Sequence, residues 1–294
     1  MKFSATFLSF AILLAGSANA HVHVKRNTHG RRSGPSAVAP TPAPAPTPAP
    51  APAPAPSNNN NNNGGIKRGL SFNDASLTSN FNSGQVSWAY NWDHSFAGSL
   101  PSGVQFFPML WSADPSHTNT WNDDATAAIA SGSTHLLFVN EPDLNTQANM
   151  TPQAAAAAWI TYMEPFKGKA TLVGPAITNG GAPMGLAWLE QFMDACTECS
   201  IGALAIHIYD SATNVAYFQN YISGVGTQFG LPVLVTEFGA SGTVQQQQDF
   251  LQTMIPFLDG LESVSHFAYF MDAVGTLVNG DASLSALGET YISA

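Results

Sequence analysis

From Gly69 to the end of the chain, short apolar runs alternate with longer stretches of mixed polarity. The runs Gly69–Asn73, Val86–Trp92, Val104–Trp111, His135–Asn140, Ala170–Ala176, Ala203–Tyr209, Val233–Thr236 and His266–Phe270 read as strands. They are near-continuously apolar, as strands are when helices cover both faces of a parallel sheet. Between them, Asp123–Ala130, Pro152–Phe166, Gly185–Cys196, Val215–Phe229 and Val244–Gly260 read as helices. The clearest start is Thr151-Pro152, a capping residue followed by proline at the first helical position. Eight alternations over about 225 residues predict an α/β fold, a single (β/α)8 barrel, over 66–294. A doubly wound sheet is the alternative. No glycine-rich phosphate loop follows any strand, which disfavours its nucleotide-binding forms.

Two of the runs end alike. His135-Leu136-Leu137-Phe138-Val139 stops at Asn140-Glu141-Pro142-Asp143, and Leu231-Pro232-Val233-Leu234-Val235 stops at Thr236-Glu237-Phe238-Gly239. Each places a glutamate at the carboxyl end of a strand, the edge of a barrel where chemistry is found. Counted in order, these are strands four and seven, about 14 Å apart across the mouth of an eight-stranded barrel. Side chains reaching inward leave roughly 5–6 Å between the carboxyl groups, near the spacing of a retaining glycosidase pair.

Upstream of the barrel the composition changes. Lys2, the apolar run Phe7 to Ala15 and the small residues Ala18-Asn19-Ala20 have the form of a secretion signal over 1–20. Proline occupies every second position from Pro40 to Pro56, and Asn58 to Gly65 follow, so 21–65 is expected to be a disordered stalk. Localisation is therefore expected to be secreted, extracellular or associated with a cell wall. Only Lys167 and Lys169 are basic beyond residue 68. All nineteen acidic residues lie there, leaving that segment with two positive against nineteen negative charges, formally −17. Such a surface disfavours nucleic acid and anionic membranes and tolerates a neutral polymer.

The two cysteines, Cys196 and Cys199, are read as a local disulfide rather than half of a zinc site, since no second Cys or His pair has ligand spacing. Other strand ends carry groups that sugars need: Trp88-Ala89-Tyr90-Asn91-Trp92, Trp111, His207-Ile208-Tyr209 and Tyr269-Phe270-Met271-Asp272. Tyr90, Asn91, Trp111, Tyr209 and Tyr269 are candidate binding residues, with Trp88 expected to point away from Tyr90. His207 is expected to orient Glu237. Asn149-Met150-Thr151 is an N-glycosylation sequon, although Thr151 is also the proposed helix cap. No Gly-x-Ser-x-Gly elbow or His-Glu-x-x-His pair is present, which removes the motifs of serine hydrolases and metalloproteases.

The Asn140-Glu141-Pro142 and Thr236-Glu237-Phe238-Gly239 segments resemble those of clan A glycoside hydrolases. With Lys67-Arg68-Gly69-Leu70, Trp88–Trp92, Gly174-Pro175-Ala176, the cysteine pair and His207-Ile208-Tyr209, the chain from Lys67 resembles glycoside hydrolase family 128, fungal β-1,3-glucanases. The resemblance implies acid/base action at Glu141, a nucleophile at Glu237 and contact of Asn140 with the sugar 2-hydroxyl. Where the family pattern has tryptophan, this chain has Ile208 and Tyr269-Phe270. The expectation is a monomeric retaining hydrolase of β-1,3-glucan, endo rather than exo, with no metal or cofactor. The alternatives are a non-catalytic β-glucan-binding wall protein and a clan A hydrolase of another β-glycan.

Overall fold

The computed structural model describes residues 65–82 and 84–294. The signal expected over 1–20, and the stalk expected over 21–65 up to residue 64, lie outside the described residues. Eight parallel strands form one sheet: β1 (Arg68–Phe72), β2 (Trp88–Tyr90), β3 (Gln105–Phe106), β4 (His135–Leu137), β5 (Thr171–Ile177), β6 (Ala203–Ser211), β7 (Val233–Ser241) and β8 (Val264–Asp272). Their order is β3-β2-β1-β8-β7-β6-β5-β4. The two ends of that order meet where Leu137 N donates to Pro108 O and Leu110 N donates to Leu137 O. The sheet thus curls into the expected (β/α)8 barrel.

Around it run α1 (Pro115–Thr118), α2 (Trp121–Ala130), α3 (Pro152–Tyr162), α4 (Leu186–Ala195), α5 (Val215–Phe229), α6 (Val244–Gly260) and α7 (Ala286–Ser293). The expected third strand shrinks to two residues because Pro108 has no N–H for the ladder. The helix expected over Pro152–Phe166 ends at Tyr162 and gives way to a 3-10 turn containing Pro165. Thr151 caps α3 as expected, its hydroxyl accepting from Ala154 N at 3.2 Å, and neighbouring Asn149 is exposed. The α7 helix lies outside the helices that the sequence pattern predicts. It is tied to the barrel's first strand, with Tyr291 OH donating to Gly69 O at 2.7 Å and Arg68 donating to the backbone oxygens of Tyr291 and Ala294.

Apolar burial divides into two layers. Trp88, Tyr90, Phe107, Leu137, Ala205 and Ala268 fill the barrel, while a larger cluster packs between sheet and helices. Trp88 does not point away from Tyr90: the rings stack 5.8 Å apart at 18°, because residues two apart on a strand share a face. A Cβ on Gly69 would lie 2.3 Å from the Trp88 ring, so β1 approaches that ring only through glycine. At the other end of the barrel from the glutamates, the His135 and His266 rings lie 4.7 Å apart, against Phe107. Burial lowers their pKa values to about 4 and about 3, so both imidazoles are neutral at pH 7.

Asp272, the last residue of β8, is fully buried, and neither carboxylate oxygen has a hydrogen-bond partner among the described residues. Burial, with the nearby charge of Asp74, raises its pKa to about 7. Ionisation therefore opposes folding: the stabilisation belonging to the neutral acid is complete below its unfolded value of about 3.9 and is lost as pH rises through about 7. Asp272→Asn keeps the shape without the charge. Its melting temperature is expected to match wild type near pH 3.5, then exceed it increasingly to a plateau above pH 7, as read by calorimetry.

Cys196 and Cys199 form a disulfide at the end of α4, with Cα atoms 5.2 Å apart. The next residue is held independently, since Ser200 donates from N (2.9 Å) and Oγ (2.7 Å) to Glu164. A loop this short restricts the unfolded chain little, so Cys196→Ala/Cys199→Ala should cost about 1–3 kcal/mol in denaturant melts. The hydrolase activity expected from the sequence should be unchanged, because the pair lies at a helix end rather than among the strand ends.

Candidate active site

Glu141 lies just beyond β4 in the left-handed region, at φ 41°. For a residue with a Cβ this backbone is costly and needs support. Its N–H donates to Ala176 O at 2.8 Å, and Pro142 follows. Asp143 then clamps the loop after β5, accepting from Thr178 Oγ1 (2.5 Å), Thr178 N (3.2 Å) and Gly185 N (2.8 Å). Glu141 is thereby fixed by bonds to the neighbouring strand and loop.

Glu237 reaches the same place by another route. Leu234 faces the barrel interior, so strict alternation would send Thr236 inward and Glu237 out toward the helices. The register against β6 slips by one residue here: Ile206 pairs with Val235, but His207 pairs with Glu237. A bulge of this kind re-aims a side chain, and it turns Glu237 into the mouth. Glycine at 239 completes the arrangement, since a Cβ there would lie 2.7 Å from the Tyr209 ring.

His207 stands between the two carboxylates. The sequence reading has it orient Glu237, yet its hydrogen bond is to Glu141: Nδ1 to Oε1 is 2.8 Å, while Nε2 lies 3.4 Å from Glu237 Oε1. Oxygen atoms of the two glutamates and a ring nitrogen lie within 4.8 Å of one another, the one grouping among the described residues compact enough for a metal ion. Hydrogen bonds hold both oxygens of Glu237, while the buried His207 Nε2 has no hydrogen-bond partner among the described residues. Tyr209 OH donates to Glu237 Oε2, Trp92 Nε1 donates to Oε1 at 2.7 Å, and Tyr90 OH donates to Thr236 O at 3.0 Å while lying 3.5 Å from Oε1.

The electrostatics follow from burial. Burial raises the pKa of Glu237, His207 lowers it, the charge of Glu141 raises it, and the donors Tyr209 and Trp92 lower it, for a net upward shift. The bonding nevertheless suits the anion, because an indole N–H can only donate and Oε1 must accept from it. Burial alone would lower the His207 pKa, but the charge of Glu237 and the hydrogen bond and charge of Glu141 hold it above its ordinary value. Burial and the charge of Glu237 push the phenols of Tyr90 and Tyr209 well up, so both remain protonated donors.

The other residues singled out from sequence divide between the mouth and elsewhere. Asn140 is buried, its Nδ2 donating to Gln147 at 3.2 Å and its Oδ1 without a partner among the described residues. Trp111 is half-buried at the rim, stacked on His117 at 5.1 Å. Asn91 uses its side chain in the turn after β2, donating to Ser95 O and accepting from Asp93 N. Tyr269 is not brought to the mouth. Ala268 faces inward, so Tyr269 faces the helices, donating to Gln247 at 3.1 Å. Phe270 takes the inward position, its ring 5.7 Å from those of both Trp92 and Tyr209. Counting alternation from Ala268 would have found Phe270. No local signal announces the backbone of Trp92. Away from these groups, a groove of about 720 Å³ on the barrel flank, lined by Phe96, Leu100, Phe106 and residues of α2, contains neither glutamate.

Comparison with known proteins gives concordant matches. The profile of the glycosyl hydrolase catalytic core matches residues 69–291. A curdlan-specific exo-β-1,3-glucanase of glycoside hydrolase family 128, subgroup III, from Blastomyces gilchristii is 40% identical, with a TM-score of 0.73 over 78% of this chain and 98% of that one. A subgroup II endo-β-1,3-glucanase from Sorangium cellulosum is 27% identical, with a TM-score of 0.68 over 78% and 98%. A subgroup I endo-β-1,3-glucanase from Amycolatopsis mediterranei, solved with laminaritriose, is 28% identical, with a TM-score of 0.66 over 78% and 99%. Alkali-sensitive linkage protein 1 of Schizosaccharomyces pombe is 29% identical over 250 residues, 77% of this chain and 44% of that protein, so the chain spans less than half of that relative's length.

Proposed function

Since the chain belongs to glycoside hydrolase family 128, we propose that it is a secreted enzyme that cleaves β-1,3-glucan with retention of anomeric configuration. The observation that carries this reading is the approach of Glu141, from beyond β4, and Glu237, from within β7, to within 4.8 Å across His207. Retaining enzymes need the carboxyl groups about 5–5.5 Å apart, whereas inverting enzymes need room for a water between them. In the first step Glu141 gives a proton to the glycosidic oxygen while Glu237 attacks the anomeric carbon, releasing the leaving chain and forming a glycosyl ester. In the second, Glu141 takes a proton from water, whose oxygen displaces Glu237. Two inversions restore the β configuration.

His207 supports both steps by its hydrogen bond to Glu141 and its charge beside Glu237. Asn140 meets the 2-hydroxyl with its free Oδ1, and Trp111 offers a ring face at the rim. The leader-like residues 1–20 support secretion. A panel of soluble and insoluble polysaccharides assayed for new reducing ends tests the assignment. Release from β-1,3-glucans, with little from β-1,4-glucan or mannan, is the expected result. Binding without release identifies a glucan-binding protein instead. The product lengths read the mode of cutting: a ladder of oligosaccharides for endo action, glucose alone for exo action.

A further inference from the structure

Trp92 follows β2 with a left-handed backbone, φ 60°, a conformation that strains a residue with a Cβ. The surrounding turn holds it there. Asn91 Oδ1 accepts from Asp93 N at 3.2 Å, Asn91 Nδ2 donates to Ser95 O at 2.9 Å, and Asp93 O accepts from Met109 N at 3.0 Å. Tyr90 and Phe270 fix the ring from two sides, at centroid distances of 5.0 and 5.7 Å. This arrangement sets the indole N–H on Glu237 Oε1 at 2.7 Å, with the Tyr90 hydroxyl beside it. The side chain is only half-buried, so water could have satisfied that N–H without the strain.

The contact complements the one made by Tyr209. Tyr209 holds Oε2 and Trp92 holds Oε1, so the carboxylate has a donor on each oxygen and cannot turn about its last bond without breaking one. The groups facing Glu237 from the packed elements are Tyr209 and His207 on β6, Tyr90 on β2 and Glu141 beyond β4. Tyrosine and histidine can donate or accept as their protons move, whereas an indole N–H only donates. Among these neighbours, Trp92 therefore favours the anion regardless of its own protonation state.

We propose that Trp92 is the positioning residue of the nucleophile: its indole N–H fixes one oxygen of Glu237 against rotation and favours the charged carboxylate over the protonated acid. The proposal rests on Glu237 being the nucleophile. Trp92 transfers no proton and forms no bond to sugar. It acts in both half-reactions, keeping Glu237 ionised before attack and stabilising it as the leaving carboxylate when water displaces it.

Trp92→Phe keeps a ring and removes the donor. On a soluble laminari-oligosaccharide, kcat should fall roughly 10- to 100-fold, the scale of one lost hydrogen bond to a charged group. The acid limb of the kcat/KM profile should move to higher pH by about one unit, because the protonated acid is no longer disfavoured. A merely structural residue would lower activity without moving that limb. Replacing Trp92 with 3-benzothienylalanine, which puts sulfur in place of N–H in the same shape, should give the same shift, and it decides the matter if the phenylalanine variant folds poorly. A limb unmoved in the benzothienyl protein, with kcat within about twofold of wild type, overturns the proposal. Glu237→Ala is assayed alongside. If it retains turnover, the nucleophile assignment and this inference fall together; if it is inactive while the benzothienyl protein is unchanged, only the inference falls.

Discussion

Glu237→Ala is expected to lose turnover on every glucan by on the order of 10⁴-fold or more, because no glycosyl ester forms without the nucleophile. Binding should survive, since the change removes one carboxylate and leaves Trp111, Asn140 and Phe270 in place. The space vacated beneath the anomeric carbon is open to a small anion. With an activated aryl β-glycoside, azide should restore part of the rate and yield the α-glycosyl azide, a single inversion, identified by NMR of the product. Recovery of the β-azide from this variant would assign Glu237 the other role.

Glu141→Ala should separate natural from activated substrates. Cleavage of glucan needs a proton on the departing oxygen, so it should fall on the order of 10²- to 10⁴-fold, the usual contribution of a general acid. An aryl glycoside whose phenol is already acidic leaves without that proton, so its first step should persist and the glycosyl enzyme accumulate. A burst of phenol followed by slow turnover is the expected trace. Azide should accelerate the slow phase and give the β-azide, because it replaces the water that Glu141 would have activated. Equal losses on both substrates, with no burst, would remove Glu141 from the acid/base role.

Much of this architecture is legible in the sequence because parallel strands buried on both faces leave a strong signal. The residues Val215–Phe229 and Val244–Gly260 read as helices and are α5 and α6 with those bounds. The glutamates are legible because each ends an apolar run, and Pro142 marks one of those ends. What escaped depends on backbone detail. The bulge that turns Glu237 inward involves a register slip between β6 and β7, which no local pattern encodes. Trp92 appears as one more aromatic in Trp88–Trp92, and its left-handed φ cannot be read from a tryptophan. Tyr269 and Phe270 are distinguishable, but only once Ala268 is known to face the barrel interior. The α7 helix is a different case: Ser285 caps it through a bond to Gly288 N, a signal that an eight-residue helix carries with little periodic support.

The most direct test of the central claim is the configuration of the sugar at the moment of its release. Wild-type protein mixed with laminarihexaose in an NMR tube, and followed from the first seconds before mutarotation, should show the β-anomer of the new reducing end appearing first, with the α-anomer growing in later. That order is what two successive displacements by Glu237 and water require. First appearance of the α-anomer would mean a single displacement and would contradict the nucleophile assigned here; no new reducing end from bound oligosaccharide would contradict catalysis itself.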